Sequence, residues 1–137
     1  METKEPINLV HFNGSKEQFE ATVIKDSENY KLFVVDFFAT WCGPCQKLGK
    51  SLPDIASEFG GIMFYKVDVD KNNELRSHYG VSSFPTIKFF TFIETDGSLK
   101  EVKTVRGCRP DKIRSCCEDL KQYLDPIEVI DCNYDYR

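Results

Sequence analysis

The chain has 137 residues, 41% of them hydrophobic, enough to fill one ordinary core and too few for two. Its 18 basic and 22 acidic residues give a net charge of -4, so the positive surplus that neutralises nucleic-acid phosphates is missing. No run approaches the roughly 20 apolar residues of a spanning helix, and METKEPINLV holds no apolar stretch of signal-peptide length, so a cytoplasmic protein with no nucleic-acid and no membrane partner is expected.

Asn8 to Phe12 reads as a first strand, and Asn13-Gly14 turns the chain into Ser15-Lys16-Glu17-Gln18, which has the spacing of a capping box. The helix that starts there carries Phe19 and Val23 on one face and ends in the polar stretch Asp26 to Asn29. Lys31 to Ala39, KLFVVDFFA, is a strand pattern buried on both faces, with one carboxylate, Asp36, in its middle. An unpaired carboxylate there costs several kcal/mol unless it stays protonated or finds a partner.

A helix is predicted from Cys42 to about Phe59, with Leu48, Leu52, Ile55 and Phe59 on one side and Gly49 and Pro53 as interior disturbances. Ile62 to Val69 is the next strand, after which Asp70 is expected to cap a short helix that ends at Gly80 and is apolar at Leu75 and Tyr79. Past a loop from Val81 to Pro85, Thr86 to Ile93 and Leu99 to Arg106 form an antiparallel hairpin across Asp96-Gly97. The last helix starts near Pro110, lines up Ile113, Cys117, Leu120 and Leu124, and stops at Pro126. The order β-α-β-α-β-α-β-β-α predicts an α/β fold, a mixed sheet whose parallel part is covered by helices on both faces.

The remaining signal is ATWCGPCQ, residues 39 to 46. Its cysteine pair sits where a strand hands over to a helix, so the unpaired N–H groups and the dipole of the first turn favour a thiolate at Cys42. Cys45, one turn further on the same face, is within bridging reach. Cys42, at the exposed end, reads as the attacking nucleophile and Cys45, deeper, as the thiol that resolves the mixed disulfide. A zinc site needs about four ligands, and the chain has only His11 and His78 and no second C-x-x-C. A structural disulfide within one helical turn closes too short a loop to stabilise much.

FVVDFFATWCGPC, followed two elements later by SFPT, resembles the thioredoxin family, and the element order matches it from about residue 7 to residue 124. The resemblance implies a thioredoxin fold over residues 1–124 with a C-terminal extension, 125–137. It implies a protein-disulfide oxidoreductase without metal or bound cofactor, acting on disulfide-containing protein substrates and recharged by an NADPH-dependent thioredoxin reductase. Carried onto this chain, it gives Asp36 the role of proton acceptor for Cys45, acting through water, and Lys66 that of its paired lysine. The plainer reading of Asp36 and Lys66 is an ion pair that holds the sheet together. Trp41, Gly43, Pro44, Phe84, Pro85 and Gly107 become substrate-binding positions, with Pro85 expected in the cis form so that the backbone of Phe84 is open to an extended peptide. A binding module that holds a partner only in one redox state is the alternative.

Two positions depart from the family pattern. The long helix has Lys50 where a proline is usual, with Gly49 before it and Pro53 three residues later, so its bend is expected to shift. In the loop before the last helix, Gly107 is followed by Cys108 where a small residue is usual, which singles out Cys108 as a candidate regulatory thiol, flanked by Arg106 and Arg109; as the plain alternative it stands in for alanine. Cys117 falls on the apolar stripe, whereas Cys116 and Cys132 are expected at the surface.

Overall fold

A computed structural model of the chain describes residues 5–122. The elements are β1 (Leu9–Phe12), α1 (Lys16–Asp26), β2 (Leu32–Phe38), α2 (Gly43–Glu58), β3 (Ile62–Asp68), α3 (Asn73–His78), β4 (Thr86–Ile93), β5 (Ser98–Arg106) and α4 (Pro110–Lys121). The five strands form one sheet in the order β1-β3-β2-β4-β5, in which β1, β3 and β2 run parallel, β4 pairs antiparallel with β2, and β5 antiparallel with β4. Predicted and observed elements agree in number, type and order.

Alternation along the central strands feeds two cores. Leu32 and Val34 of β2 face Leu48, Leu52 and Ile55 of α2 and Ile113 and Cys117 of α4. Phe33, Val35 and Phe37 face Phe19 and Val23 of α1 and Leu75 of α3. The capping box at Ser15 is present: its hydroxyl accepts from Gln18 N–H, and the Gln18 side chain accepts from Ser15 N–H at 2.8 Å. The Nδ2 of buried Asn8 lies 2.9, 3.1 and 2.8 Å from the carbonyls of Ala56, Phe59 and Ile62, so one amide ties the end of α2 to the start of β3.

Two expectations are corrected, those for Asp70 and Cys116. Asp70 does not cap α3: the N-cap is Asn72, whose side chain instead bonds Asn13 and the Asp68 carbonyl, and Asp70 accepts from Trp41. As expected, α2 runs on through Pro53, to Glu58. The hairpin closes across Asp96-Gly97 as expected: Ile93 pairs with Ser98, and Gly97 sits at φ 71° in the left-handed region open to glycine. Cys116 is buried, 3% exposed, against the α2 and α4 core, because α4 is wedged between sheet and α2 and turns two adjacent cysteines inward. Leu124, Pro126 and Cys132, with the extension 125–137, lie outside the described residues.

Candidate active site

Cys42 is the N-cap of α2, with extended backbone (φ -94°, ψ 116°), and Gly43 and Pro44 make up the first helical positions. Proline suits that place because the N–H it lacks has no partner in a first turn anyway. Cys42 and Cys45 are joined as a disulfide with Cα atoms 5.2 Å apart, and Cys45 N–H donates to Cys42 Sγ at 3.2 Å. A backbone donor and a helix N-terminus therefore both point at Cys42 sulfur, the arrangement that stabilises negative charge there. Cys42 is 7% and Cys45 4% exposed, so the expected order of depth holds, narrowly. Gly43 and Pro44 are exposed beside them.

Opposite the disulfide runs the loop into β4. The Phe84–Pro85 peptide bond is cis, Pro85 is buried, and Phe84 O lies 3.6 Å from Cys42 Sγ. Gly107 N–H donates to Pro85 O at 2.9 Å, and Gly107 itself holds φ 91°, which joins the loop before α4 to the same rim. Trp41 is 67% exposed; its indole N–H donates to Asp70 Oδ2 at 2.9 Å and its ring meets that of Phe84 edge-on at 5.9 Å. An aromatic held at both ends yet open to solvent is a contact surface rather than core.

Asp36, 1% exposed, lies on β2, the strand that leads into α2, on the face that Leu32 and Val34 turn to α2. Neither of its oxygens has a hydrogen-bond partner. Burial pushes its carboxyl up to about 7, against the pull of the Lys66 charge. Lys66 is its register neighbour on β3, but the two form no ion pair within 4 Å: the Lys66 ammonium rests 5.2 Å from the Phe38 ring centre and runs along Gly49 of α2. The reading of Asp36 and Lys66 as a sheet-holding ion pair is thereby corrected. A cleft of about 330 Å³, lined by Cys45, Gln46, Gly49 and Lys66 among others, opens beside the deeper cysteine.

Cys108 is half-buried at the edge of a separate cleft of about 520 Å³ that Arg109 and Lys112 also line, and it packs against the core under α4. Cys117 is fully buried, and burial pushes its thiol up to about 12, which leaves it inert packing. Asp70 and Arg76 went unnoticed in the sequence as parts of this rim; Arg76 stands with its guanidinium carbon 5.4 Å from the Phe84 ring centre. No periodicity marks either residue: Asp70 lies between β3 and α3 and Arg76 on α3, and each meets the rim only through tertiary packing. Among the described residues no group of three or more His, Cys, Asp or Glu is placed to hold a metal ion.

Comparison with known proteins agrees with this geometry. The family model described as "Thioredoxin" matches residues 10–119. A thioredoxin of Geodia cydonium is 42% identical over 82 residues, 60% of this chain and 76% of its own. A thioredoxin of Gallus gallus is 32% identical over 112 residues, 82% of this chain and 99% of its own. Among solved structures, the thioredoxin of Trichomonas vaginalis superposes with a TM-score of 0.75 at 40% identity, covering 85% of this chain and all of that one.

Proposed function

Because this chain belongs to the thioredoxin family and is a protein-disulfide oxidoreductase that works by dithiol-disulfide exchange, we propose the following roles for its residues. In the reduced protein the Cys42 thiolate attacks one sulfur of a substrate disulfide; a Cys42–substrate disulfide forms and the other substrate sulfur leaves as a thiolate that takes a proton from water. Asp36 accepts the Cys45 proton, relayed by water from the cleft that Cys45 and Lys66 share. The Cys45 thiolate then attacks Cys42 Sγ and expels the second substrate thiolate. Two electrons have moved to the substrate, and the protein is left as the Cys42–Cys45 disulfide.

The observation that carries this reading is an unpartnered buried carboxylate, lifted to about 7, on the strand that leads into the helix start bearing the disulfide. A group with that value accepts a proton at neutral pH and returns it as readily, which a fully ionised carboxylate does less well. Lys66 keeps Asp36 from rising further. Trp41, Gly43, Pro44, Phe84, Pro85 and Gly107 form the surface that receives the peptide around the substrate disulfide, with the Phe84 backbone next to the reacting sulfur.

A thioredoxin reductase drawing on NADPH returns the two electrons. The compartment is the cytoplasm: Cys108, Cys116 and Cys117 stand as free thiols among the described residues, as a reducing environment would leave them. The test is NADPH-coupled reduction of insulin disulfides in the presence of a thioredoxin reductase. Wild type consumes NADPH and Cys42→Ser falls to background; a Cys42→Ser protein with sustained turnover would refute the assignment.

A further inference from the structure

We propose that Arg76 is a specificity-determining residue, which makes the substrate surface favour peptides carrying an acidic side chain next to their disulfide. The inference rests on the reading that Phe84 and Trp41 receive the substrate.

Arg76 is the third member of a row that begins at the reacting sulfur. Phe84 O lies 3.6 Å from Cys42 Sγ, the Phe84 ring packs edge-on against Trp41, and the Arg76 guanidinium lies over the Phe84 ring. A guanidinium laid on an aromatic face keeps its in-plane donors pointing outward. Those donors are scarcely used within the protein. Nε is buried without a partner, Nη1 makes one long contact of 3.4 Å with Asn73 Oδ1, and among the described residues Arg76 has no ion pair. Arg114 shows what a structural arginine looks like in this same chain: it grips both oxygens of Glu58 at 2.9 and 3.1 Å.

The far side of the rim is cationic as well. Arg106 is the register partner of Thr86, directly after Pro85, and Arg109 is the N-cap of α4; both are exposed, and the Gly107 amide bonded to Pro85 O holds their loop in place. A peptide lying along Phe84 therefore runs between Arg76 and the Arg106–Arg109 loop. The row also holds one carboxylate, Asp70, which accepts from the Trp41 indole. Three arginines, Arg76, Arg106 and Arg109, against that one carboxylate set this rim apart from a chain of net charge -4. A carboxylate is the group that a planar guanidinium fork matches best.

The experiment uses the reduced full-length protein and two peptides of equal length, each with one cysteine carrying a thiopyridyl group, flanked by glutamates in one and lysines in the other. Release of thiopyridone reports attack by Cys42. Wild type is expected to react about two- to fivefold faster with the acidic peptide at low salt, the yield of one exposed ion pair, and to lose that preference as salt rises. Arg76→Ala lowers the ratio of the two rates, Arg76→Glu lowers it further, and Arg76→Lys retains it. If Arg76 only braces Phe84, its variants slow both peptides alike and the ratio stays put, which overturns the proposal. A wild-type ratio of one overturns it too. Failure of the underlying site reading shows differently, as Cys42→Ser releasing thiopyridone at the wild-type rate.

Discussion

Asp36 on β2 and Lys88 on β4 are both buried charges on neighbouring strands, one register step apart, since Asp36 pairs with Ile87 and Val35 with Lys88. That step sends them to opposite faces of the sheet. Lys88 meets Glu101 at 2.8 Å and Thr104 at 3.3 Å, both from β5, and Thr104 in turn donates to Glu101. Asp36 meets no hydrogen-bonding group at all. The two show the difference between a polar residue the fold has accommodated and one it carries at a cost. Burial pushes Glu101 up, but hydrogen bonds from Lys88 and Thr104 bring it below its ordinary 4.5, whereas burial of Asp36 dominates and carries it from 3.8 to about 7. The role proposed for Asp36 gives a reason for a cost that packing could remove by placing leucine there.

The largest predicted effect is on stability against pH. The folded chain holds the Asp36 proton more tightly than the unfolded chain, so the stability from this group is complete below about pH 4 and lost as pH rises through about 7. That interval corresponds to about 4 kcal/mol. Asp36→Asn removes the dependence, so urea midpoints of the two proteins diverge with rising pH in favour of the variant and stay parallel above about pH 8. Curves that run parallel from pH 4 to 8 would mean Asp36 is not the buried acid described. Lys88→Met gives a smaller effect of opposite sign. Glu101 is depressed, so its contribution is present above 4.5 and lost as pH falls through its folded value. Because the Glu101 side chain is 40% exposed and stays hydrated without Lys88, the variant costs about 1 kcal/mol near neutrality and loses the acid-side slope. A loss of several kcal/mol there would erase the contrast between the two charges.

Much of this was legible in the sequence. Runs of alternating or continuous apolar residues locate all nine elements described, and a lone carboxylate inside KLFVVDFFA singles out Asp36. What escaped depends on packing between elements distant in the chain. Lys88 sits in a strand whose lysine is satisfied only by residues 13 and 16 positions later, across the hairpin. The bulge opposite Phe89 and Phe90, where β5 fits one extra residue, Val102, between Glu101 and Lys103, leaves no mark in composition. Cys116 was misplaced because helical periodicity gives one face, while α4 is covered on more than one. Arg76 looked like an ordinary polar residue of a short helix, and its position over Phe84 follows from how α3 meets the loop before β4.

The central claim is that Asp36 serves the resolving thiol rather than the attacking one. Stopped-flow quench of the reduced protein against a peptide disulfide separates formation of the Cys42–substrate intermediate from its resolution by Cys45, at a series of pH values. The account predicts that Asp36→Asn leaves formation close to wild type, slows resolution roughly a hundredfold and abolishes its inflection near pH 7, while Lys66→Met moves that inflection to higher pH. Resolution that proceeds in Asp36→Asn at the wild-type rate, with the inflection intact, would contradict it.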